Sequence, residues 1–222
     1  MTKRKFVDDY HEMLSILDSL KSEKKKTLLL HACCGPCATY PLKLLSQYFD
    51  VTIAYDNSNI YPLTEYERRK KTIEEMLAKF NDEFKTNIKI IFFVYDNENY
   101  MKDLMPYENE REGGTRCKLC FEKRMDEVFA YANSHHYDYF TTVMSVSRYK
   151  PTKILNEIGE KLSTKYHYTK YLLSDFKRGG GIAIGKEMTK RYELYEQNYC
   201  GCEYSLKNRS RKAMDFETIE DK

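Results

Sequence analysis

Thr27-Leu28-Leu29-Leu30-His31-Ala32-Cys33-Cys34-Gly35-Pro36-Cys37 joins a short, unbroken apolar run to a tight turn crowded with cysteine. An apolar run of that length without polar alternation fits a strand buried on both faces. The turn that follows such a strand is where α/β folds place their chemistry. Upstream, Phe6, Tyr10, Met13, Leu14, Ile16, Leu17 and Leu20 recur at near-helical spacing and predict an outer helix over residues 5 to 22, followed by a basic linker from Lys21 to Lys26. Downstream, Tyr40, Leu42, Leu44 and Leu45 predict a helix from Thr39 to Ser46, and Asp50 to Tyr55 alternates as a strand. Asn57 to Pro62 is rich in turn residues, and Thr64 and Glu67 stand at capping-box spacing ahead of Ile73, Met76, Leu77 and Phe80. The pattern continues with a strand from Ile88 to Val94, a loop with Pro106 and Gly113-Gly114, and a helix from Arg116 to Ser134. A strand from Tyr139 to Val143, a helix from Thr152 to Leu162 and a strand from Tyr168 to Leu173 follow. Gly179-Gly180-Gly181 breaks the chain before a last helix to Tyr195. This alternation predicts the α/β class, a mostly parallel sheet with helices on both faces in a single domain. The expected organisation is a helix and basic linker over 1–26, an α/β domain carrying the cysteine chemistry over 27–206, and a polar tail over 207–222.

At 222 residues, with 41% hydrophobic and 32% charged content, the chain can bury a proper core, which excludes disorder throughout. No apolar run approaches the roughly 18 to 20 residues of a membrane-spanning helix, and Met1 to Lys5 is polar and basic, so the expectation is a soluble, cytoplasmic protein without a membrane partner. A net charge of +3 is too small to dictate a nucleic-acid partner by itself. Seven cysteines, an odd number in a reducing compartment, argue against a disulfide framework and for metal binding or redox chemistry.

The cysteines fall in separated groups: Cys33, Cys34 and Cys37 on the first strand-to-helix turn, Cys117 and Cys120 at a helix start, and Cys200-Gly201-Cys202 near the end. Thiolates at i, i+3 on a first helical turn can face one metal, and the helix N-terminus favours the anion, with Gly113-Gly114 and Arg116 reinforcing that bias at Cys117. Softness alone suits zinc and an iron–sulfur cluster equally. Adjacent Cys33-Cys34 make a poor zinc knuckle, and Cys37, Cys200 and Cys202 exceed what one tetrahedral site can use. Surplus thiols beside a metal suggest redox work. Cys200 and Cys202 read either as a strained, easily reduced disulfide ring or as a C-x-C pair of ligands to the same metal.

Together, His31 to Cys37, Gly113-Gly114-Thr115-Arg116-Cys117-Lys118-Leu119-Cys120-Phe121, Phe140-Thr141-Thr142 and Tyr199-Cys200-Gly201-Cys202 resemble the QueH family of epoxyqueuosine reductases over roughly residues 27 to 206. Asn57 to Tyr61, Tyr66, Arg68 and Asp175-Phe176-Lys177-Arg178 extend the likeness, while Arg148 stands where the family has proline. The resemblance implies a HUP or Rossmann-like α/β fold and the two-electron reductive deoxygenation of epoxyqueuosine to queuosine at the tRNA wobble position, the last step of queuosine biosynthesis. It further implies a [4Fe-4S] cluster held by Cys33, Cys34, Cys117 and Cys120, with Cys200 and Cys202 as a redox-active pair. An adjacent mononuclear iron is a further arrangement it implies, with Cys34, Cys37 and the Cys200/Cys202 pair as candidate ligands. An external electron donor is then required.

For a tRNA, the candidate phosphate contacts are Lys21 to Lys26, Arg68 to Lys71, Arg148 to Lys153 and Lys177-Arg178, with nearby tyrosines available to stack on an unpaired base. Tyr149, Lys150, Asp175 and His31 are the available proton donors, though His31 fits a core histidine and Asp175 a loop cap. Two other readings compete. An iron–sulfur tRNA thiolase of the nucleotide-binding α/β type would need a phosphate loop where Cys33 to Cys37 stands, and Pro36 removes an amide donor there. A zinc-containing RNA-binding protein would be colourless and stable in air.

Overall fold

Leu28 and Leu30 point to one face of a five-stranded sheet and Leu29 to the other, and all three are fully buried. That two-sided burial is why this strand carries no polar alternation. The computed structural model describes residues 8–21 and 24–209. Phe6 of the expected first helix, and the expected tail beyond 209, lie outside the described residues.

The chain runs α1 (Asp9–Ser19), β1 (Lys26–His31), α2 (Gly35–Leu45), β2 (Phe49–Tyr55), α3 (Leu63–Phe84), β3 (Lys89–Phe92), α4 (Asn97–Lys102), α5 (Thr115–Ser134), β4 (Tyr139–Thr142), α6 (Thr152–Ser163), β5 (Lys170–Tyr171) and α7 (Gly181–Arg191). A last helix, α8, covers 203–209. The strand order is β3-β2-β1-β4-β5, and every pair is parallel. One face carries α1, α2, α3 and α7, and the other carries α5 and α6. The α/β layering read from the sequence is therefore the observed one. Strand order reverses at β1, where His31 pairs with Ala54 on one side and Thr142 on the other. The crevice of such a sheet opens beyond the carboxyl ends of the strands at that reversal, directly above Cys33 and Cys34.

Several boundaries differ from expectation for local physical reasons. The first helix is not merely outer, because Met13 and Leu17 are buried in the same core as Leu28 and Phe49. Helix α2 starts at Gly35 rather than Thr39, since Pro36 occupies the first turn, where a missing N–H costs nothing. Gly35 also lets α2 approach α3, as a Cβ there would lie 2.9 Å from the Thr72 carbonyl oxygen. Thr64 and Glu67 form no capping box: α3 starts at Leu63 behind Pro62, and no side chain caps it. Helix α7 stops at Arg191, and Glu193 turns the chain at a positive φ of 53°. No helix among the described residues is long and apolar enough to cross a membrane.

Candidate metal centre

The first wall of the site is the β1–α2 turn. Ala32 still donates its N–H to Ala54 as β1 ends, Cys34 is the extended N-cap residue of α2, and Cys37 sits on the helix's first turn. The sulfurs of Cys33, Cys34 and Cys37 lie within 4.8 Å of one another, the one such metal-competent group among the described residues. Cys33 and Cys34 are 3.9 Å apart. Packing three thiols at a helix N-terminus gathers anionic charge where the helix dipole favours it. Hydrogen bonds from Cys34 and Cys37 hold the Cys33 thiol well below its usual range. Burial and the Cys33 anion push Cys34 up to about 12, and the same neighbours raise Cys37. One negative charge is thus shared over the three sulfurs, with its centre on Cys33. Gln197 closes this wall, its Nε2 donating to the Cys34 sulfur at 2.9 Å.

The second wall is the start of α5. Gly113 takes a left-handed φ of 87°, and its N–H donates to the Cys117 sulfur at 3.2 Å. Burial nevertheless raises the Cys117 thiol, with Cys120 and Cys200 adding to the rise. The helix start therefore does not by itself generate a thiolate here. Arg116 donates to the carbonyls of Tyr107 and Glu108, pinning the loop beneath Cys117 and acting on the thiol only weakly. The Tyr100 hydroxyl donates to the Cys120 carbonyl at 2.9 Å and lies 3.2 Å from its sulfur.

The third wall is the strap from Tyr195 to Cys202, and a buried arginine holds it down. Arg69 is paired with Glu65 at 2.7 Å and donates to the carbonyls of Tyr199 and Cys200, both at 3.2 Å. Gly201 adopts a φ of 124°, and a Cβ there would meet the Arg69 guanidinium at 3.0 Å. Tyr61 bonds the Gly201 carbonyl, and the Tyr199 hydroxyl donates to Tyr61. Burial pushes Cys202 up to about 12, helped by the charges of Cys200, Cys120 and Cys117. All seven cysteines are free thiols. Arg69→Ala is expected to cost about 3–5 kcal/mol of stability, because the buried Glu65 loses its cationic partner and keeps only the Tyr195 hydroxyl as a side-chain donor. The strap should then be cleaved fastest near Cys200 in limited proteolysis. An unchanged melting temperature would show that Arg69 does not hold it.

Two cations bind the walls together. Burial works against the Arg124 guanidinium, yet Cys120, Tyr100, Cys33 and Cys200 hold it charged. Its NH2 group reaches the Met144 sulfur at 2.9 Å, and its Nε is buried without an acceptor. Lys150, which is only part-buried, is opposed by desolvation and held charged by Cys200 and Cys33. A buried cation without a paired carboxylate requires other negative charge nearby. Among the cysteines, Cys33 is the one whose anionic form is favoured, and it lies in electrostatic reach of both cations. Cys33, Cys34 and Cys37 are therefore brought into one contact group, while Cys117, Cys120, Cys200 and Cys202 stand in electrostatic reach without joining it.

The other candidates take structural places. Burial and Arg124 push His31 down to about 3, and its ring bonds Thr142 and the Asp56 carbonyl, so it is a neutral core residue. Asp175 caps its loop by accepting from Thr152 and the Lys177 N–H. Lys177 is spent on Ser145, Lys150 and Thr152, and Arg69 on the strap, so neither is free for a phosphate. Sequence reasoning missed Tyr100, Arg124 and Gln197, and gave Arg69 a phosphate-binding role that the structure replaces with a tie to the strap. A cavity of about 750 Å³ lined by Lys25, Phe49, Lys85, His135 and Tyr137 lies at the amino-terminal edge of the sheet, remote from the cysteines.

Comparison with known proteins gives a consistent result. The family model described as epoxyqueuosine reductase QueH matches residues 28–208. The chain is 39% identical over 194 residues to the epoxyqueuosine reductase QueH of Staphylococcus aureus, covering 86% of this chain and 79% of that one. It is 36% identical over 187 residues to the Streptococcus pyogenes protein of that name, covering 84% and 73%, and 30% identical over 192 residues to the Thermotoga maritima one, covering 84% and 93%.

Proposed function

The chain belongs to the epoxyqueuosine reductase QueH family, and from that premise we propose how its residues carry the reaction of an oxidoreductase on epoxyqueuosine. The substrate is the epoxide-bearing nucleoside at the wobble position of a tRNA, and the reaction belongs to the cytoplasm, where tRNA is modified. Conversion of the epoxide to an alkene and water consumes two electrons and two protons, so the site needs an electron store, a proton supply and an external electron donor.

The donor set suits an iron–sulfur cluster: three soft thiols form one contact group, and the buried Arg124, which makes no ion pair with a carboxylate among the described residues, lies in electrostatic reach of Cys33, Cys120 and Cys200. We assign Cys33, Cys34, Cys117 and Cys120 to a [4Fe-4S] cluster and Cys37 to an adjacent iron. When bound, these groups would pass electrons singly and polarise the epoxide oxygen. The polypeptide supplies the rest. Arg124 and Lys150 offset the accumulated negative charge and make electron uptake easier. The Tyr195–Cys202 strap, held by Arg69, covers the site and limits water. Cys200 and Cys202 form the two-electron dithiol.

The observation that carries this reading is the contact group of Cys33, Cys34 and Cys37 at the sheet's reversal point, faced by the other two cysteine pairs. Its test is incubation of anaerobically prepared protein with epoxyqueuosine-containing tRNA and a strong one-electron reductant, followed by nucleoside mass analysis. Loss of one oxygen atom from the modified nucleoside supports it. An unchanged nucleoside with cofactor-replete protein overturns it. The nucleotide-binding thiolase reading finds no support, because three thiols occupy the α2 turn where a phosphate would lie.

For the tRNA, the loop after β4 offers the best contact. Tyr149 is 88% exposed beside Lys150, whose ammonium faces Cys200 and Cys33. A tyrosine there can stack on an anticodon base next to the reacting one. With base–aromatic stacking at about 1–3 kcal/mol, Tyr149→Ala should raise KM for tRNA by roughly 5- to 150-fold with kcat little changed, and Tyr149→Phe should behave as wild type. Equal KM values for all three would remove the contact.

A further inference from the structure

Beneath the cysteine centre, on the α5 face of the sheet, lies a carboxyl group with no donor. Along β2, Ala54 packs with the α5 side and Tyr55 with the α3 side, so Asp56 turns back toward α5. It is 1% exposed, and neither of its carboxyl oxygens has a hydrogen-bond donor among the described residues. The side chain that reaches it is another carboxyl, that of Glu127 on α5, which is itself exposed to solvent. Two carboxylates have only acceptors to offer each other, so their contact is stable only if one carries a proton.

We propose that Asp56 and Glu127 share one proton and form the store from which the deoxygenation reaction draws, with Glu127 refilling it from solvent. This rests on the reductase reading above. The epoxide oxygen leaves as water and the two ring carbons form a double bond. The two electrons come from a one-electron reductant through the cysteine centre. One of the two protons leaves Asp56 as its O–H becomes a carboxylate, with Glu127 returning it from solvent, and the other comes from solvent water. Asp56 is too buried to touch substrate and acts through the groups above it. These include Tyr100 on α4, which is in the electrostatic range of Asp56 and bonded to Cys120. The charged and titratable groups around Asp56 are Glu127 and Arg124 from α5, the neutral His31 from β1, Tyr66 from α3 and Tyr100.

Burial, with Glu127 adding to it, pushes Asp56 up from 3.8 to about 8. The proton is therefore in place below about 8 and lost as pH rises through that value. The folded chain also holds a proton between about 4 and 8 that the unfolded chain lacks, so this group's share of stability falls across that window as pH rises. Asp56→Asn should lower kcat about 10²-fold, leave KM for tRNA and iron content unchanged, and remove the fall in rate near pH 8. Its melting temperature should gain on wild type as pH rises toward 8. Infrared spectroscopy of substrate-free protein should show a protonated-carboxyl C=O band that Asp56→Asn loses. Glu127→Gln, a surface change that the fold tolerates, should move the rate midpoint below about 8. A pH–rate profile shared by wild type and both variants, or no such band in wild type, overturns the proposal. The band is read without turnover, so its absence defeats the proton store alone, and its presence in a chain that fails to reduce epoxyqueuosine defeats only the reductase reading.

Discussion

Cys117→Ala is expected to yield a folded, colourless protein whose turnover is at background. Cys117 is partly buried, and its sulfur accepts only the Gly113 N–H, so its loss should barely disturb α5. Its weight lies in the donor set. With Cys33, Cys34 and Cys120 alone, a four-iron cluster would lack one of its four assigned anchors. Iron content and visible absorbance after anaerobic preparation check the result, with a melting curve as control for folding. A Cys117→Ala protein with wild-type iron and rate would take Cys117 out of the ligand set.

Cys202→Ser should separate binding of the cofactor from cycling. Its sulfur is held protonated by burial and by its cysteine neighbours, beside Cys200 on a strap that Gly201 lets turn sharply. Oxidation of two thiols to a disulfide releases two electrons, the number that epoxide removal consumes, so the pair can hold together the electrons that an external donor delivers singly. The variant is expected to keep its visible spectrum and complete at most one turnover per chain, with multiple turnover abolished. Rapid-quench measurement of product per chain distinguishes the cases. Normal cycling by Cys202→Ser would show that the second electron is stored elsewhere.

Much of this architecture is legible in the sequence because burial leaves a mark there. Leu28 to Leu30 are apolar without alternation since both faces of β1 are covered, and the cysteine-bearing turn follows directly from the place of β1 at the centre of the sheet. Helix starts are less legible. Gly35-Pro36 reads as a turn, yet proline is well suited to a first helical turn, and Thr64 with Glu67 has capping spacing without making a cap. The buried cations were hidden for a different reason. Arg69 stands in a run of four basic residues that looks like a solvated or phosphate-binding face, and only the fold shows that one of the four turns inward to Glu65 and the strap. Its position four residues after Glu65 was the available signal. Arg124, likewise four residues after Cys120, shares that cysteine's helical face, which marks it as a companion of the site. Asp56 left no mark, because the β2 alternation that aims it inward stops within a turn-rich loop.

The most direct test of the whole account is the amount of iron and acid-labile sulfide per chain in protein prepared without oxygen. Thiols from three remote stretches sharing one centre predict about four sulfides with at least as many irons. One zinc per chain with no sulfide would contradict it.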